Sequence, residues 1–282
     1  MGNLLVSVSG GKTSMMMMKL LHNKYRKTHN ILNVFANTGA EHPETLDFVK
    51  RCEDEWGIKI YWVEAKVHKG RIGCTHKIVT YETASRKQEP FEEVIKKYGL
   101  PNQNYPHCNR EMKLNPIHSL AMEYFGAKKR FENYQTAIGI RMDEMDRMMA
   151  KADQNNFIYP MIQDFKLYKD DVIDFWKSKS WRLNIPEHYG NCLTCFKKSK
   201  RKLITIAREK PEWFLPFAEF EDLYSSVKAP KEPRVFFRGK STVKDIFEMK
   251  HSDIESFVDG KFIPYDPDVD IDSSCSHECA LT

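Results

Sequence analysis

The chain has 282 residues, of which 41% are hydrophobic and 29% are charged, and its formal net charge is +5. This length corresponds to about two domains, and the composition is that of an ordinary globular protein, which excludes global disorder. A charge of +5 over the whole chain is too small to indicate a nucleic-acid-binding protein by itself. Because no stretch approaches the roughly 18 apolar residues of a membrane span and Met1–Leu5 lacks a basic signal-peptide region, we expect a cytoplasmic protein without membrane contact.

The first pattern in the chain is a short apolar run, Asn3–Val8, followed by a glycine pair and a second apolar segment. A buried strand, a tight turn and a helix are the expected elements. The helical segment contains the methionine run Met15–Met18, which we interpret as core filler beside a sheet because methionine adapts to irregular gaps.

The turn between this strand and helix has the composition of a phosphate-binding loop. The backbone N–H groups around Gly10 and Gly11 can surround an anion and donate hydrogen bonds to it, and the start of the helix adds the positive end of its dipole. A Walker A loop requires a glycine at the position of Val6, so the loop is of another type. Hydroxyl and ammonium donors flank the glycines at Ser7, Ser9, Lys12, Thr13 and Ser14. The alternative is a bare strand-to-helix turn with incidental hydroxyls.

Two further strands are predicted at Ile31–Phe35 and Ile58–Val63, with a helix between them that begins near Pro43. The polar residues that follow the second strand are expected beside the phosphate loop, because parallel sheets bind ligands at the carboxyl ends of their strands. These residues are Asn37, Thr38, Gly39 and Glu41. Cys52 lies on the apolar stripe of the helix and is predicted to be a core residue.

The segment 66–107 shows no strong periodicity and is predicted to be a lid or substrate loop. Behind it, Asn115 is predicted to be the N-cap of a helix with Pro116 at its first position. Three residues just before this helix are expected to point into a cleft, namely Cys108, Arg110 and Lys113. A fourth strand is predicted at Gln135–Ile140, and it places Gly139 and Arg141 at the same edge of the sheet as the phosphate loop. Arg141 and the nearby Arg147 are either phosphate ligands or surface ion-pair partners of the neighbouring acidic residues.

Several ordered segments resemble the PP-loop ATP pyrophosphatases of the adenine nucleotide α-hydrolase superfamily, and within it the phosphoadenosine phosphosulfate (PAPS) reductase-like family. Residues 9–14 match SGGxxS, 108–113 match C-x-R-x-x-K and 139–144 match GxRxDE. Residues 37–45 are similar to DTGxExPET, with Asn37 in place of the aspartate, and residues 190–196 contain a C-x-x-C. The resemblance spans roughly residues 3–215. It implies an α/β fold with a Rossmann-like, HUP-type parallel sheet over residues 1–160. A smaller, mainly helical, cysteine-bearing region over residues 161–282 is predicted to follow.

This resemblance implies that ATP binds with Mg²⁺ and is cut between its α- and β-phosphates, so that an adenylyl group passes to an acceptor. The implied nucleotide contacts are Ser7, Ser9, Gly10, Gly11, Lys12, Thr13, Ser14, Asn37, Thr38, Gly39, Glu41, Gly139 and Arg141. The implied catalytic cations are Lys12, Arg110, Lys113 and Arg141, because the phosphate charges need donors in a partly dehydrated site.

The seven cysteines of the chain are expected to be thiols, metal ligands or catalytic groups in a reducing compartment. Cys192 and Cys195 have the spacing of zinc knuckles and iron–sulfur sites. The family resemblance pairs Cys108 with them, and we predict a [4Fe–4S] cluster completed by a cysteine of the tail, Cys275 or Cys279. Structural zinc and a site without metal are the alternatives. The tail around Cys279 resembles the C-terminal E-C-G-L-H of PAPS and adenylyl sulfate reductases, where the cysteine attacks sulfur and presents its adduct to a thioredoxin. Cys279 is therefore a candidate catalytic residue.

Four functions are compatible with these features. Reductases of the resembled family typically lose the SGGK core of the loop, whereas this chain keeps it. We therefore favour an ATP-consuming adenylation that supports sulfur transfer, similar to the ATPase subunit of DNA phosphorothioation systems or to tRNA thiolases. The alternatives are a PAPS or adenylyl sulfate reductase with a thioredoxin-type donor, a sulfate adenylyltransferase-like subunit, and a non-catalytic nucleic-acid-binding module.

A basic run over residues 197–208 lies next to the C-x-x-C. Its cations are Lys197, Lys198, Lys200, Arg201, Lys202 and Arg208. Such a run predicts salt-sensitive contacts with the phosphates of tRNA or DNA, and the alternative is a solvated helix face.

Overall fold

A computed structural model describes residues 1–229, 231–237 and 241–270. Its strands are β1 (Gly2–Val8), β2 (His29–Ala36), β3 (Tyr61–Lys66), β4 (Thr75–Val79), β5 (Gln135–Ala137) and β6 (Phe157–Ile158). They form one sheet in the order β4-β3-β2-β1-β5-β6. Every neighbouring pair is parallel except β3 and β4, which are antiparallel. The predicted Rossmann-like α/β fold is therefore confirmed.

Helices flank the sheet and dominate the chain beyond residue 160. The first five are α1 (Lys12–Tyr25), α2 (Pro43–Trp56), α3 (Glu89–Tyr98), α4 (His107–Asn109) and α5 (Asn115–Phe125). The others are α6 (Pro160–Gln163), α7 (Lys169–Lys177), α8 (Lys200–Glu209), α9 (Leu215–Tyr224), α10 (Val243–Glu248) and α11 (Pro267–Asp270). None of the helices within the described ranges has the length and apolar content needed to cross a bilayer.

The two faces of the sheet pack against different helices, because successive strand residues point to opposite sides. Leu4, Val6 and Val8 join α1 and α2 in one core, which includes all of Met15–Met18 and the fully buried Cys52. Leu5 and Val34 pack on the other face against α5. The predicted core roles of the methionine run and of Cys52 are confirmed.

The predicted division near residue 160 stays a prediction, although α7 packs tightly on the first core. The Trp176 ring contacts Phe48 edge to face with 4.8 Å between ring centroids. Its indole N–H donates to the backbone oxygen of Lys12 over 2.9 Å. The helix after residue 160 therefore supports the backbone at the start of α1.

Two sequence-based expectations are wrong in this part of the molecule. The segment 66–107 contains β4 and α3 rather than only irregular chain, and α3 buries Phe91, Val94 and Ile95 at helical spacing. Asn115 is not an N-cap, because its φ of −62° and ψ of −47° are helical and the chain enters α5 through a π-helical turn at Arg110–Leu114.

Candidate nucleotide-binding site

A cavity of about 200 Å³ lies where β1, β2 and β5 end. Ten residues singled out from the sequence line it, namely Ser7, Ser9, Gly11, Lys12, Thr13, Ser14, Lys113, Gly139, Arg141 and Arg147. Parallel sheets place ligands at this edge. The structure therefore brings the loop, one cation of the C-x-R-x-x-K segment and both arginines of the 139–147 segment to one site.

The two loop glycines have different physical roles. Gly10 has a φ of +78°, and a Cβ at this position would meet Thr45 Cγ2 at 2.6 Å. Gly11 has an ordinary φ of −87°, and a Cβ there would meet only Ser9 Oγ, at 3.6 Å. Gly10 is thus required by the backbone and its packing, whereas Gly11 leaves space in the cavity that it lines.

Hydrogen bonds inside the loop fix its shape. The Ser14 hydroxyl accepts the backbone N–H of Ser9 over 3.1 Å and donates to the backbone oxygen of Gly11 over the same distance. Ser14 is buried, so its hydroxyl acts mainly as a brace for the loop. The first N–H groups of α1 lack intrahelical partners and lie at the positive end of the helix dipole.

The pKa of Lys12, one of the cations at the cavity, lies below its ordinary value. Burial, and then the nearby positive charge of Arg182, lower the pKa of Lys12, and Asp259 opposes this shift. A polyanion beside the ammonium group would reverse the shift, since an opposite charge stabilises the charged form.

The two arginines are held in place by carboxylates. Arg141 donates to both Asp143 oxygens over 3.0 and 2.8 Å and to the Thr13 hydroxyl of α1 over 3.1 Å. Arg147 is paired with Glu144, which also lies 3.2 Å from Arg141. Arg141 and Arg147 thus form ion pairs and also line the cavity, and their role as phosphate ligands stays a prediction.

The segment after β2 does not reach this cavity. Asn37 donates to Glu64 and to the backbone of Ser85, each over 2.8 Å. The Thr38 backbone N–H and hydroxyl both donate to Glu41, over 2.9 and 2.7 Å. The nucleotide contacts implied for Asn37, Thr38, Gly39 and Glu41 therefore stay predictions, and their described contacts are internal to the chain.

Arg110 and Lys113 separate in space although they share one motif. The Arg110 Nε donates to Glu111 over 2.9 Å, and the Arg110 side chain does not line the cavity. Glu111 is buried and also accepts the N–H of Cys74 and the side-chain amide of Asn115. Lys113 lies in the same π-helical turn but faces the cavity. Lys113 thus lies at the cavity, as its predicted catalytic role requires, whereas Arg110 does not.

A second, smaller pocket of about 30 Å³ is lined by Cys108, Cys192 and Cys195 together with Thr38 and Lys113. Cys192 Sγ lies 3.6 Å from the Thr38 hydroxyl and 3.9 Å from Glu41 Oε1. These cysteines come together as the sequence suggested.

The predicted metal centre, however, is not preformed. Among the residues that the structure describes, no three Cys, His, Asp or Glu side chains are arranged to hold a metal ion. Cys275 and Cys279 lie outside the described residues, so their metal-binding and catalytic roles stay predictions.

Much of the basic run at 197–208 binds the chain itself. Arg201 pairs with Asp270 over 2.6 and 2.8 Å. Arg208 donates to the backbone oxygens of Lys250, Ser252 and Ile254. Lys198 donates to the backbone of Gly190, and Lys202 pairs with Glu187. Binding of tRNA or DNA here stays a prediction, and these cations have structural roles.

Some residues that line the cavity were not predicted as site residues from the sequence, namely Asn109, Leu114, Ile117, His118, Thr136, Ile138, Phe157 and Asn191. Alternation along β5 would have placed Thr136 on the face of Leu5, its partner on β1. The Gly190–Asn191 pair was a turn signal, and Asn191 has a φ of +60°.

Comparison with known proteins agrees with this geometry. The model of the phosphoadenosine phosphosulfate reductase domain matches residues 3–155. An uncharacterized nin region protein of Escherichia phage lambda, ORF290, is 34% identical over 203 residues, which are 70% of this chain and 67% of that protein.

Two uncharacterized proteins of Methanocaldococcus jannaschii are more distant. MJ0066 is 27% identical over 180 residues and MJ0973 is 26% identical over 177 residues. The matches cover 61% and 62% of this chain but only 30% and 34% of those proteins. The chain therefore spans about a third of their length. The domain match covers more than half of the chain and contains the loop at the cavity, so the chain belongs to the phosphoadenosine phosphosulfate reductase family of PP-loop proteins.

Proposed function

We propose that the chain binds ATP through residues 9–14, cleaves the bond between the α- and β-phosphates, and adenylates an acceptor in support of sulfur transfer. The observation that carries this proposal is the intact loop, which includes Lys12, beside a cavity whose wall also contains Lys113, Arg141 and Arg147. Four cations and a helix N-terminus in one partly buried site suit a ligand with several phosphates.

In this proposal each group at the loop has a distinct role. Backbone N–H groups of the loop and of the first turn of α1 hold the leaving pyrophosphate. Lys12 supplies a point charge to the developing negative charge, and Arg141 offers the planar donors that suit bidentate contacts with phosphate oxygens. The side chains held by Asp143 and Glu144 are preoriented, which lowers the cost of ordering them on binding.

Mg²⁺ supplies charge neutralisation between adjacent phosphates in such reactions. Magnesium binds mainly through phosphate oxygens and water, with one or two protein carboxylates, so it needs no cage of protein ligands. Glu144 lines the cavity and is the carboxylate placed to contribute.

The cysteine-lined pocket is the proposed source of sulfur. Asn109 and Lys113 line both this pocket and the larger cavity, so the two spaces share one wall. The Leu193 N–H donates to the backbone oxygen of Ala40 over 2.9 Å, which anchors the cysteine segment against the chain after β2. A sulfur atom held by these cysteines would lie next to an acceptor activated in the cavity.

The experiment that tests the proposal compares two substrates with the same protein. The chain is incubated with ATP and Mg²⁺, with and without tRNA, DNA or sulfate as acceptor, and pyrophosphate and AMP are quantified. In parallel, PAPS and reduced thioredoxin are supplied and sulfite is measured. Pyrophosphate together with an adenylated tRNA or DNA supports the proposal, whereas adenylation of sulfate alone would favour the sulfate adenylyltransferase alternative. Sulfite from PAPS, without cleavage of ATP under any condition, would replace it with the reductase function.

A further inference from the structure

A basic surface lies at the loop between β3 and β4, outside the nucleotide cavity. It consists of this loop and of the chain from the end of α3 to Arg110. No aspartate or glutamate occurs between Glu64 and Glu82 or between Glu93 and Glu111, whereas lysine and arginine recur in both stretches. Every formal charge on these two stretches is therefore positive. We call this region the β3–β4 surface.

Contacts with the end of α3 fix the backbone of the loop. The Lys97 ammonium group donates to the backbone oxygen of His68 over 2.6 Å and also to that of Arg71. The Tyr98 hydroxyl accepts the backbone N–H of Gly73 over 3.0 Å. Because these contacts use the backbone of the loop, they hold its shape without engaging its charged side chains.

The charged side chains of the loop are available to a partner. Lys69 and Arg71 are exposed, and neither side chain has a hydrogen bond or ion pair with any residue that the structure describes. Lys66, at the end of β3, is also exposed. In the basic run at 197–208, by contrast, Arg201 and Arg208 are engaged by the chain itself. Positive charge that the fold leaves unneutralised attracts an anionic partner.

Arg110 extends the β3–β4 surface toward the cavity. Buried Glu111 accepts the N–H of Cys74, at the end of the loop, and the Nε–H of Arg110, each over 2.9 Å. The Arg110 side chain is 47% exposed, whereas Lys113 of the same π-helical turn lines the cavity. This turn therefore has the basic surface on one side and the cavity on the other.

An aromatic ring borders the surface. Tyr105 is 41% exposed, and the Arg234 guanidinium group lies 3.8 Å from the centroid of its ring. Arg234 also donates to the backbone oxygen of Tyr98 over 3.0 Å, which places the pair beside the loop. Exposed rings next to cations suit the stacking of nucleic-acid bases. An anionic membrane would need a larger apolar face, and Ile72 is the one largely exposed apolar side chain of the fully described loop 67–74.

We propose that the β3–β4 surface binds the phosphate backbone of a nucleic acid, which is the acceptor of the proposed reaction. Lys69 and Arg71 are its phosphate contacts in the loop, and Arg110 is the contact nearest the cavity. A strand held there lies against the turn that carries Lys113 into the cavity, so the acceptor and the nucleotide meet at this turn. The inference rests on the proposed function and adds the class of the acceptor and its docking site.

The test measures binding of nucleic acid without ATP. A tRNA and a DNA duplex with the same number of phosphates are titrated with the wild-type protein by fluorescence anisotropy at several salt concentrations. Lys69→Ala/Arg71→Ala is expected to weaken binding about tenfold at about 0.1 M salt and to reduce the slope of log affinity against log salt by about two, because two phosphate contacts are lost. Its melting temperature should equal that of wild type, since both side chains are exposed.

Two control variants remove the same amount of charge elsewhere. Arg26 and Lys27 are exposed between α1 and β2, at the opposite edge of the sheet, and Arg26→Ala/Lys27→Ala should bind like wild type. Lys197→Ala/Lys200→Ala tests the basic run and should keep its affinity within about threefold of wild type.

Equal weakening in all three variants would reduce the effect to net charge and overturn the proposed surface. A larger loss in Lys197→Ala/Lys200→Ala than in Lys69→Ala/Arg71→Ala would also overturn it, as would binding to phosphatidylserine vesicles but to neither nucleic acid.

The failure of this inference is distinguishable from that of the proposed function. Cleavage of ATP by a protein that binds neither nucleic acid at low salt would overturn the inference alone. Binding of nucleic acid that depends on Lys69 and Arg71, without cleavage of ATP under any condition, would support the surface and overturn the proposed function.

Discussion

The phosphate-loop end of the cavity and the basic run at 197–208 are both rich in cations, yet the structure uses those cations differently. At the cavity, Lys12 and Lys113 face an open volume beside a helix N-terminus. In the run, Arg201 and Arg208 are inserted among carboxylate and backbone oxygens of the C-terminal segment. The difference is that the cations at the cavity border an open space even where they form ion pairs, whereas Arg201 and Arg208 are surrounded by acceptors of the chain itself.

The largest effect that tests this contrast is expected at Lys12. Lys12→Ala should reduce pyrophosphate release from ATP by about 10²- to 10³-fold, because a positioned cation is lost beside the leaving group. Lys24→Ala is the control, since Lys24 lies on the same helix but pairs with Asp164 on the surface. Initial rates at saturating ATP measure both, and a Lys12→Ala rate equal to wild type would remove Lys12 from the site.

A structural role for the basic run predicts a large loss of stability at Arg208. Arg208→Ala should lower the free energy of unfolding by about 3 kcal/mol, because three partly buried carbonyl oxygens lose a charged donor. Lys200→Ala, in the first turn of the same helix, should change it by less than about 0.5 kcal/mol. Urea unfolding measures both. If Arg208→Ala instead weakened tRNA or DNA binding at full stability, the run would be a nucleic-acid interface.

The two loop glycines should differ in how they affect folding. Gly10→Ala is expected to cost about 2 kcal/mol of stability, since alanine at a φ of +78° is strained and its Cβ contacts Thr45 at 2.6 Å. Gly11→Ala should change stability by less than about 1 kcal/mol, because its φ is ordinary. Equal thermal and urea stabilities of the two variants would contradict the loop geometry.

A pH dependence of stability tests the burial of the neutral His118 ring. Burial lowers the folded-state pKa of His118 to about 3, whereas the unfolded chain has a value of about 6.5. Protons then favour the unfolded state, so this contribution is complete above pH 6.5 and is lost toward pH 3, at about 1.4 kcal/mol per pH unit. The free energy of unfolding, measured with urea between pH 7.5 and 5, should depend less steeply on pH for His118→Gln than for wild type. Identical slopes would contradict the burial of a neutral ring.

The sequence predicted well what local backbone physics decides. The first strand, the glycine turn and the first helix follow from adjacent residues, and the alternation of faces places Leu5 and Val6 in different cores. Apart from Gly10, the site residues predicted from this region line the cavity, because a strand end and a helix start need no distant partner to define them.

The sequence-based predictions failed at several places, for different reasons. Arg110 and Lys113 belong to the same motif, but the buried Glu111 carboxylate binds Arg110 away from the cavity. This contact is visible only in the folded structure. The segment 66–107 contains α3, whose Pro90 at the first turn and helical spacing of apolar residues were available signals. Thr136 carries no motif, and its place in the cavity wall became visible only with its neighbours in place.

The most direct measurement of the central claim is the affinity of ATP for wild type and for Gly11→Val. Gly11 lines the cavity and a side chain there meets little else, so valine should occupy the phosphate space without unfolding the chain. We predict that calorimetry gives at least about a hundredfold weaker ATP binding for Gly11→Val at an unchanged melting temperature. Equal ATP affinity in the two folded proteins would contradict the claim that residues 9–14 hold the phosphates.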